Sequence, residues 1–222
     1  MTGKIVEICC GSYYDAKQAA LGGAERIELN SALMLGGLTP TESTLCMVKE
    51  EFPSLKVVAM VRPRGAGFCY TEEEFQVMMK ECESLLRCGA DGIAFGCLQA
   101  DASLDEQRNL RLTEKIRNMG GEAVFHRAFD CSKDPFATME RLIAMGVTRV
   151  LTSGLKPKAA EGREMLKKLQ ADSGGQRSQC GQCGRTDGIY RASSGSQFLQ
   201  GMGDGSDDGA ERDFLQYCRR RT

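Results

Sequence analysis

The chain of 222 residues has no surplus of charge of either sign: 29 Lys and Arg stand against 30 Asp and Glu, a formal net charge of −1. That balance leaves no electrostatic footprint for nucleic acid or for an anionic membrane surface. Long apolar runs are also missing. The opening stretch MTGKIVEICCGS lacks the apolar centre of a signal peptide, and no segment approaches the roughly 18 apolar residues of a membrane span. Neither a nucleic-acid partner nor a membrane is expected, and the cytoplasm is the expected location. The even, regularly spaced cysteine framework of a small secreted domain is absent too. The eleven cysteines are odd in number, scattered and often set in apolar segments, so they read as reduced thiols, most of them small buried hydrophobes. Histidine is nearly lacking: His126 is the only one, inside FHRAFD at 125–130. Whether that stretch is an active site or a buried histidine with satisfied partners is the question it raises.

What is present is a rhythm. With 41% hydrophobic residues the chain can build a proper core. Short apolar runs rich in Val and Ile begin at Lys4 (KIVEIC), Glu25 (ERIEL), Lys56 (KVVAMV), Gly92 (GIAFG), Ala123 (AVFH) and Arg149 (RVLTS). Each is too short for a helix and suits a buried strand. Segments with helical spacing lie between them, at 16–21, 41–51, 72–86, 104–119 and 135–144, several opening on a Thr, Ser or Asp cap. Strand and helix in alternation predict a parallel sheet. Three helices run into a glycine turn just before the next strand, in LGGAERIEL, RCGADGIAF and AMGVTRVLT. Glycine there supplies the left-handed residue that ends the helix. The repeated unit predicts an α/β fold of (β/α) TIM-like barrel type, with six of the eight βα units visible.

A barrel gathers the carboxyl ends of its strands on one face, where sites are built. The polar residues assigned to those ends are Glu7, Glu28, Arg62 with Arg64, His126 with Arg127 and Asp130, and Thr152 with Ser153. Arg62, Arg64 and Arg127 would make a cationic mouth whose planar guanidinium forks suit a small anionic ligand, a carboxylate or phosphate, with Thr152 and Ser153 as further ligand-binding groups. Glu7, Glu28, His126 and Asp130 supply catalytic groups for acid–base chemistry on such a ligand. The structural alternative is that these carboxylates and arginines pair with one another and fix the mouth.

The motifs VEICCGS, GGAERIEL, GGLTP, VRPRGAGFCY, FHRAFD and RVLTSG occur together in an order and spacing that resembles the CutC copper homeostasis family, over residues 4–172. The resemblance implies a TIM-like barrel, a cytoplasmic homo-oligomer and a part in copper homeostasis; no organic cofactor is evident in the sequence. Cu(I) prefers thiolate and thioether sulfur, and members of the family are proposed to bind copper through cysteines at the ends of strands 1 and 2. Cys9 fits the first of those positions, with Cys10 beside it, so these two are the candidate metal ligands. Asn30 stands where the second cysteine would be, and that departure weakens copper binding. Two functions stay open: copper handling, and an enzyme acting on a small anionic metabolite.

Residues 1–172 read as the barrel domain and 173–222 as an irregular tail. The tail has ten glycines, no valine and no apolar run of strand type. CGQC at 180–183 is incomplete as a structural zinc site, which takes four ligands. The tail reads instead as the product of a frameshift. One base later, Gln179 into Cys180 must give Asn or Ser, Cys180 into Gly181 must give Ala or Val, and Met202 into Gly203 must give Trp. Without strands 7 and 8 the flanks of strands 1 and 6 would be left unpaired.

Overall fold

The computed structural model describes residues 5, 7–172 and 179–181. Seven strands form one parallel sheet in chain order: β1 (Glu7–Cys10), β2 (Arg26–Leu29), β3 (Lys56–Met60), β4 (Gly92–Phe95), β5 (Glu122–Phe125), β6 (Arg149–Leu151) and β7 (Gln179–Gly181). Helices α1 (Tyr13–Leu21), α2 (Glu42–Glu51), α3 (Glu72–Arg87), α4 (Glu106–Asn118) and α5 (Pro135–Met145) connect the first six, and α6 (Arg163–Asp172) follows β6. All six expected strands and all five expected helices are present. α6 and two 3-10 turns, Leu33–Leu35 and Arg127–Cys131, were not expected.

Local chemistry starts the helices where the sequence placed caps. Ser12, Thr41, Thr71, Asp105 and Asp134 each accept from a backbone N–H of the first turn. Thr71 and Glu74 complete a reciprocal capping box, and Pro135 fills the first turn of α5. The glycine turns end helices as expected: Gly23, Gly89 and Gly146 hold φ of 85°, 94° and 83°.

The sheet curls almost shut. A flat sheet would hold β1 and β6 about 24 Å apart, five spacings of roughly 4.8 Å. Yet Arg149 on β6 reaches Glu7 on β1 at 2.7 Å. Curling separates two apolar layers. Outward residues such as Ile27, Val57, Ile93 and Phe125 pack under helix residues such as Leu45, Phe75, Leu85 and Leu112, and each large side chain so buried contributes about 1.5–3 kcal/mol. Val58, Met60, Ala94, Val124 and Leu151 form a smaller cluster inside the barrel.

A three-residue strand, β7, lies within the tail, and its backbone pairs with β6 from Arg149↔Gln179 to Leu151↔Gly181. The flank of β6 is therefore covered over those residues. Ladder pairing is made by backbone groups, so a three-residue strand needs no apolar run to announce it. The rest of the tail, the cysteine at 183 and the shifted-frame reading lie outside the described residues. No described helix is long and apolar enough to cross a membrane.

Candidate functional site

The inner wall is built by strand alternation, since every second residue faces the interior. At the amino ends of the strands this puts Glu7, Arg26 and Arg149 together, and here the structure corrects the sequence reading. Glu7 was assigned to the carboxyl end of its strand. It is instead the first residue of β1, at the far end from the mouth, where its Oε2 lies 2.5 Å from Arg26 Nε and 2.7 Å from Arg149 Nη1. Glu122 meets Arg149 Nη2 at 3.3 Å from the rim. Burial first, and then the charge of Arg149, push the Arg26 guanidinium below its ordinary value. Arg26 and Arg149 were not singled out from the sequence. Both open a strand just as Glu7 does, so counting inward positions from strand starts would have found them.

One turn higher, Cys9 and Glu28 are cross-strand neighbours, and the Asn30 amide joins them. Its Nδ2 donates to Glu28 Oε1 at 3.0 Å and to Cys9 Sγ at 3.5 Å. Cys10 does not join this group. As the next residue of the strand it faces the helices, where it packs in the outer core, its thiol donates to Ile8 O at 3.6 Å, and burial pushes its pKa up. Adjacent strand residues point to opposite faces, so Cys9 and Cys10 cannot hold one ion together. Among the described residues no three His, Cys, Asp or Glu side chains form a metal cluster. The soft donor that β1 offers the interior is Cys9 alone, which is too little for a closed Cu(I) site.

The arginines expected to line the mouth are engaged by the protein itself. Arg62 is fully buried beneath the two loops it fastens. Its Nη1 donates to Leu35 O at 2.9 Å and Gly37 O at 3.0 Å, and its Nη2 to Ala66 O at 2.9 Å. Its guanidinium also lies 5.2 Å from the Phe68 ring centroid. Arg64 forks onto Glu74 of the capping box, with Nη2 to Oε2 at 3.0 Å, and donates to Cys69 O at 2.9 Å. Arg127 donates to Asp130 Oδ2 at 3.0 Å and to Ser153 Oγ at 2.7 Å. Asp130 also accepts from Thr152 Oγ1 at 2.5 Å, Ser153 Oγ at 3.0 Å, Ser153 N at 3.1 Å and Leu155 N at 3.2 Å. The structure thus brings Arg127, Asp130, Thr152 and Ser153 together as one network that shapes the β6–α6 loop. Its geometry favours the structural alternative over an open anion site.

His126 follows β5 directly and answers the question raised by FHRAFD in part: the histidine is buried, with a partner for Nδ1 and none for Nε2 among the described residues. Its ring is buried against Phe68, with centroids 5.0 Å apart. Its Nδ1 accepts from Ala128 N at 3.2 Å, which assigns the proton to Nε2. The inward positions of β4 are small, Gly92 and Ala94, and Gly96 follows the strand. A Cβ on Gly96 would stand 2.8 Å from the imidazole, so glycine makes the room for the ring. Phe68 and Gly96 were not singled out from the sequence; a glycine two residues beyond an inward alanine is the signal that could have marked the space. Burial, reinforced by the charge of Arg62, lowers the His126 pKa from 6.5 to about 3. The sign follows. The unfolded chain takes up a proton near pH 6.5 that the folded chain refuses until about pH 3, so the stability is complete above the first value and is lost as pH falls toward the second. Because the chain has one histidine, unfolding in urea should show a stability loss of about half of 1.4 kcal/mol per pH unit near pH 6.5, approaching the full value about one unit lower. A His126→Gln variant should lack that slope, and an identical slope in the variant would refute the assignment.

Comparison with known proteins follows the same lines. A family model described as the CutC family matches residues 4–182. A CutC family protein of Treponema denticola is 46% identical over 164 residues, covering 74% of this chain and 65% of the relative. The human copper homeostasis protein cutC homolog is 40% identical over 167 residues, covering 75% of this chain and 60% of the relative. The chain thus spans somewhat less than two thirds of these relatives. A crystal structure described as a CutC copper homeostasis protein, from Streptococcus agalactiae, superposes with a TM-score of 0.74 at 24% identity, covering 80% of this chain and 86% of that one. A 2,3-dimethylmalate lyase of the PEP mutase/isocitrate lyase superfamily reaches 0.57 at 13% identity, over 97% of this chain and 80% of that one, a likeness of fold alone.

Proposed function

This chain belongs to the CutC family, and on that ground we propose that it acts in copper homeostasis in the cytoplasm, taking Cu(I) as its cargo at the inward-facing Cys9 thiol. The copper role is supported by the names of the human and mouse relatives. The observation that carries the assignment to Cys9 is the division of the β1 thiols. Cys9 faces the interior beside Asn30 and Glu28, whereas Cys10 is sealed under the helices. A single thiolate holds Cu(I) weakly enough to pass it to a second thiol donor, which suits handling of the ion rather than its storage. The same reading includes a homo-oligomer. Tyr14 and Leu21, 65% and 66% exposed on one face of α1, offer apolar surface for it.

The acid–base reading has less support in these contacts. A histidine whose pKa lies near 3 is a poor base at neutral pH. Glu28 and Asp130 already accept from protein donors.

The test is growth at raised copper in cells deleted for their own CutC protein. Wild type and Cys10→Ala should restore tolerance, and Cys9→Ser should not. Full rescue by Cys9→Ser would remove Cys9 from the account, and failure of the wild-type chain to rescue would remove the copper role.

A further inference from the structure

Two thiols outside the barrel have no part in the function proposed above. α2 and α3 pack side by side in the outer layer, and their register is fixed at both ends of the contact. Near the start of α2, Ser84 Oγ donates to Glu42 Oε1. Near its end, the Lys49 side chain passes 3.7 Å from the position a Cβ would take on Gly89, and its ammonium reaches Asp91 Oδ2 at 2.9 Å. Glu42 and Cys46 are one turn apart on α2, and Ser84 and Cys88 are one turn apart on α3 and its cap. Register at 42 with 84 and at 49 with 89 therefore sets Cys46 opposite Cys88. The two thiols are close enough to act on each other electrostatically. Both are half-buried, open enough for an ion to enter and enclosed enough to strengthen its bonds.

We propose that Cys46 and Cys88 form a two-thiolate site for Cu(I) on the outer helical layer, separate from Cys9. Each thiol gives its proton to solvent and each sulfur donates one electron pair to the same ion, so two S–H bonds are exchanged for two S–Cu bonds without change of oxidation state. Two thiolates on opposite sides of one ion meet the preference of Cu(I) for soft donors. The inference relies on the copper reading only for its choice of metal.

The experiment is an anaerobic titration of the reduced full chain with Cu(I) against a chromophoric Cu(I) chelator. Cys46→Ser and Cys88→Ser should each lose one tightly bound equivalent. The double variant should lose no more than either single one, and Cys9→Ser should keep that equivalent. Unchanged stoichiometry in the single variants, or losses that add in the double, would overturn the site. Should the serine variants not fold, phenylarsine oxide bound to the wild-type chain gives a second readout, because it bridges neighbouring thiols. Mass mapping should find one arsenical joining the peptides of Cys46 and Cys88, and its absence would equally overturn the proposal. Copper tolerance in cells reads the role at Cys9 independently of either result.

Discussion

Replacing Glu7 by glutamine should destabilise the fold by about 3–5 kcal/mol, the cost of leaving buried charge without its partner. The Glu7 side chain is 6% exposed and holds two guanidiniums, Arg26 at 2.5 Å and Arg149 at 2.7 Å, themselves 7% and 3% exposed. The amide keeps the size of the side chain and removes its charge. Two like charges would then share a region of low dielectric, with the half-exposed Glu122, 3.3 Å from Arg149, the one carboxylate among the described residues left to offset them. Urea unfolding reads the effect as a fall in midpoint at constant slope. Adding Arg149→Met to Glu7→Gln should return part of the loss, because one of the stranded charges then disappears. A single variant as stable as wild type would show that the cluster is neutralised by other means.

Asp130→Ala should cost about 3 kcal/mol or more and should loosen one loop before the rest of the barrel. The carboxylate is 1% exposed and collects donors from Arg127, Thr152, Ser153 and Leu155. Each buried donor left without an acceptor costs about 1–3 kcal/mol, reduced wherever the loop can relax toward water. Hydrogen exchange should show the amides of Ser153 and Leu155 released first, since both donate directly to Asp130. Protection unchanged at those two amides would mean that the loop is held by other contacts. Asp130→Asn should lose less, because it keeps one acceptor oxygen.

Much of the fold was legible in the sequence because buried parallel strands are continuous apolar runs and helices carry caps. Val57, Val58 and Ala59 show such a run, and Thr71 with Glu74 shows such a cap. β7 was illegible for the complementary reason, since three residues bonded through backbone leave no side-chain signature. The site was legible as a set of residues but not as a set of roles. His126, Arg127, Asp130, Thr152 and Ser153 do gather at strand ends. What the sequence could not show is that Arg127, Asp130, Thr152 and Ser153 take one another as partners, while His126 packs on Phe68 and accepts from Ala128 N. Arg62 illustrates the limit: an arginine after a strand reads as a ligand group, and only the loop carbonyls of Leu35, Gly37 and Ala66 closing around it reveal a fastening. Glu7 failed at a simpler point, the position at which β1 begins.

The bond between Glu7 and Arg149 joins residues 142 apart in the chain. A ribosome adding about 5–20 residues per second needs roughly 7–28 s to make that span. During this interval β1 and β2 can pair and Glu7 can meet Arg26, but Arg149, the second guanidinium of the cluster, is not yet made. The carboxylate and the guanidinium must stay hydrated, and the sheet must stay open, until β6 emerges. Contact between β1 and β6 across the interior is then a late event of high contact order, made after the five strands before β6 are available to pair. The amino end of the interior therefore stays wet longest, and its charge cluster is complete only when Arg149 arrives.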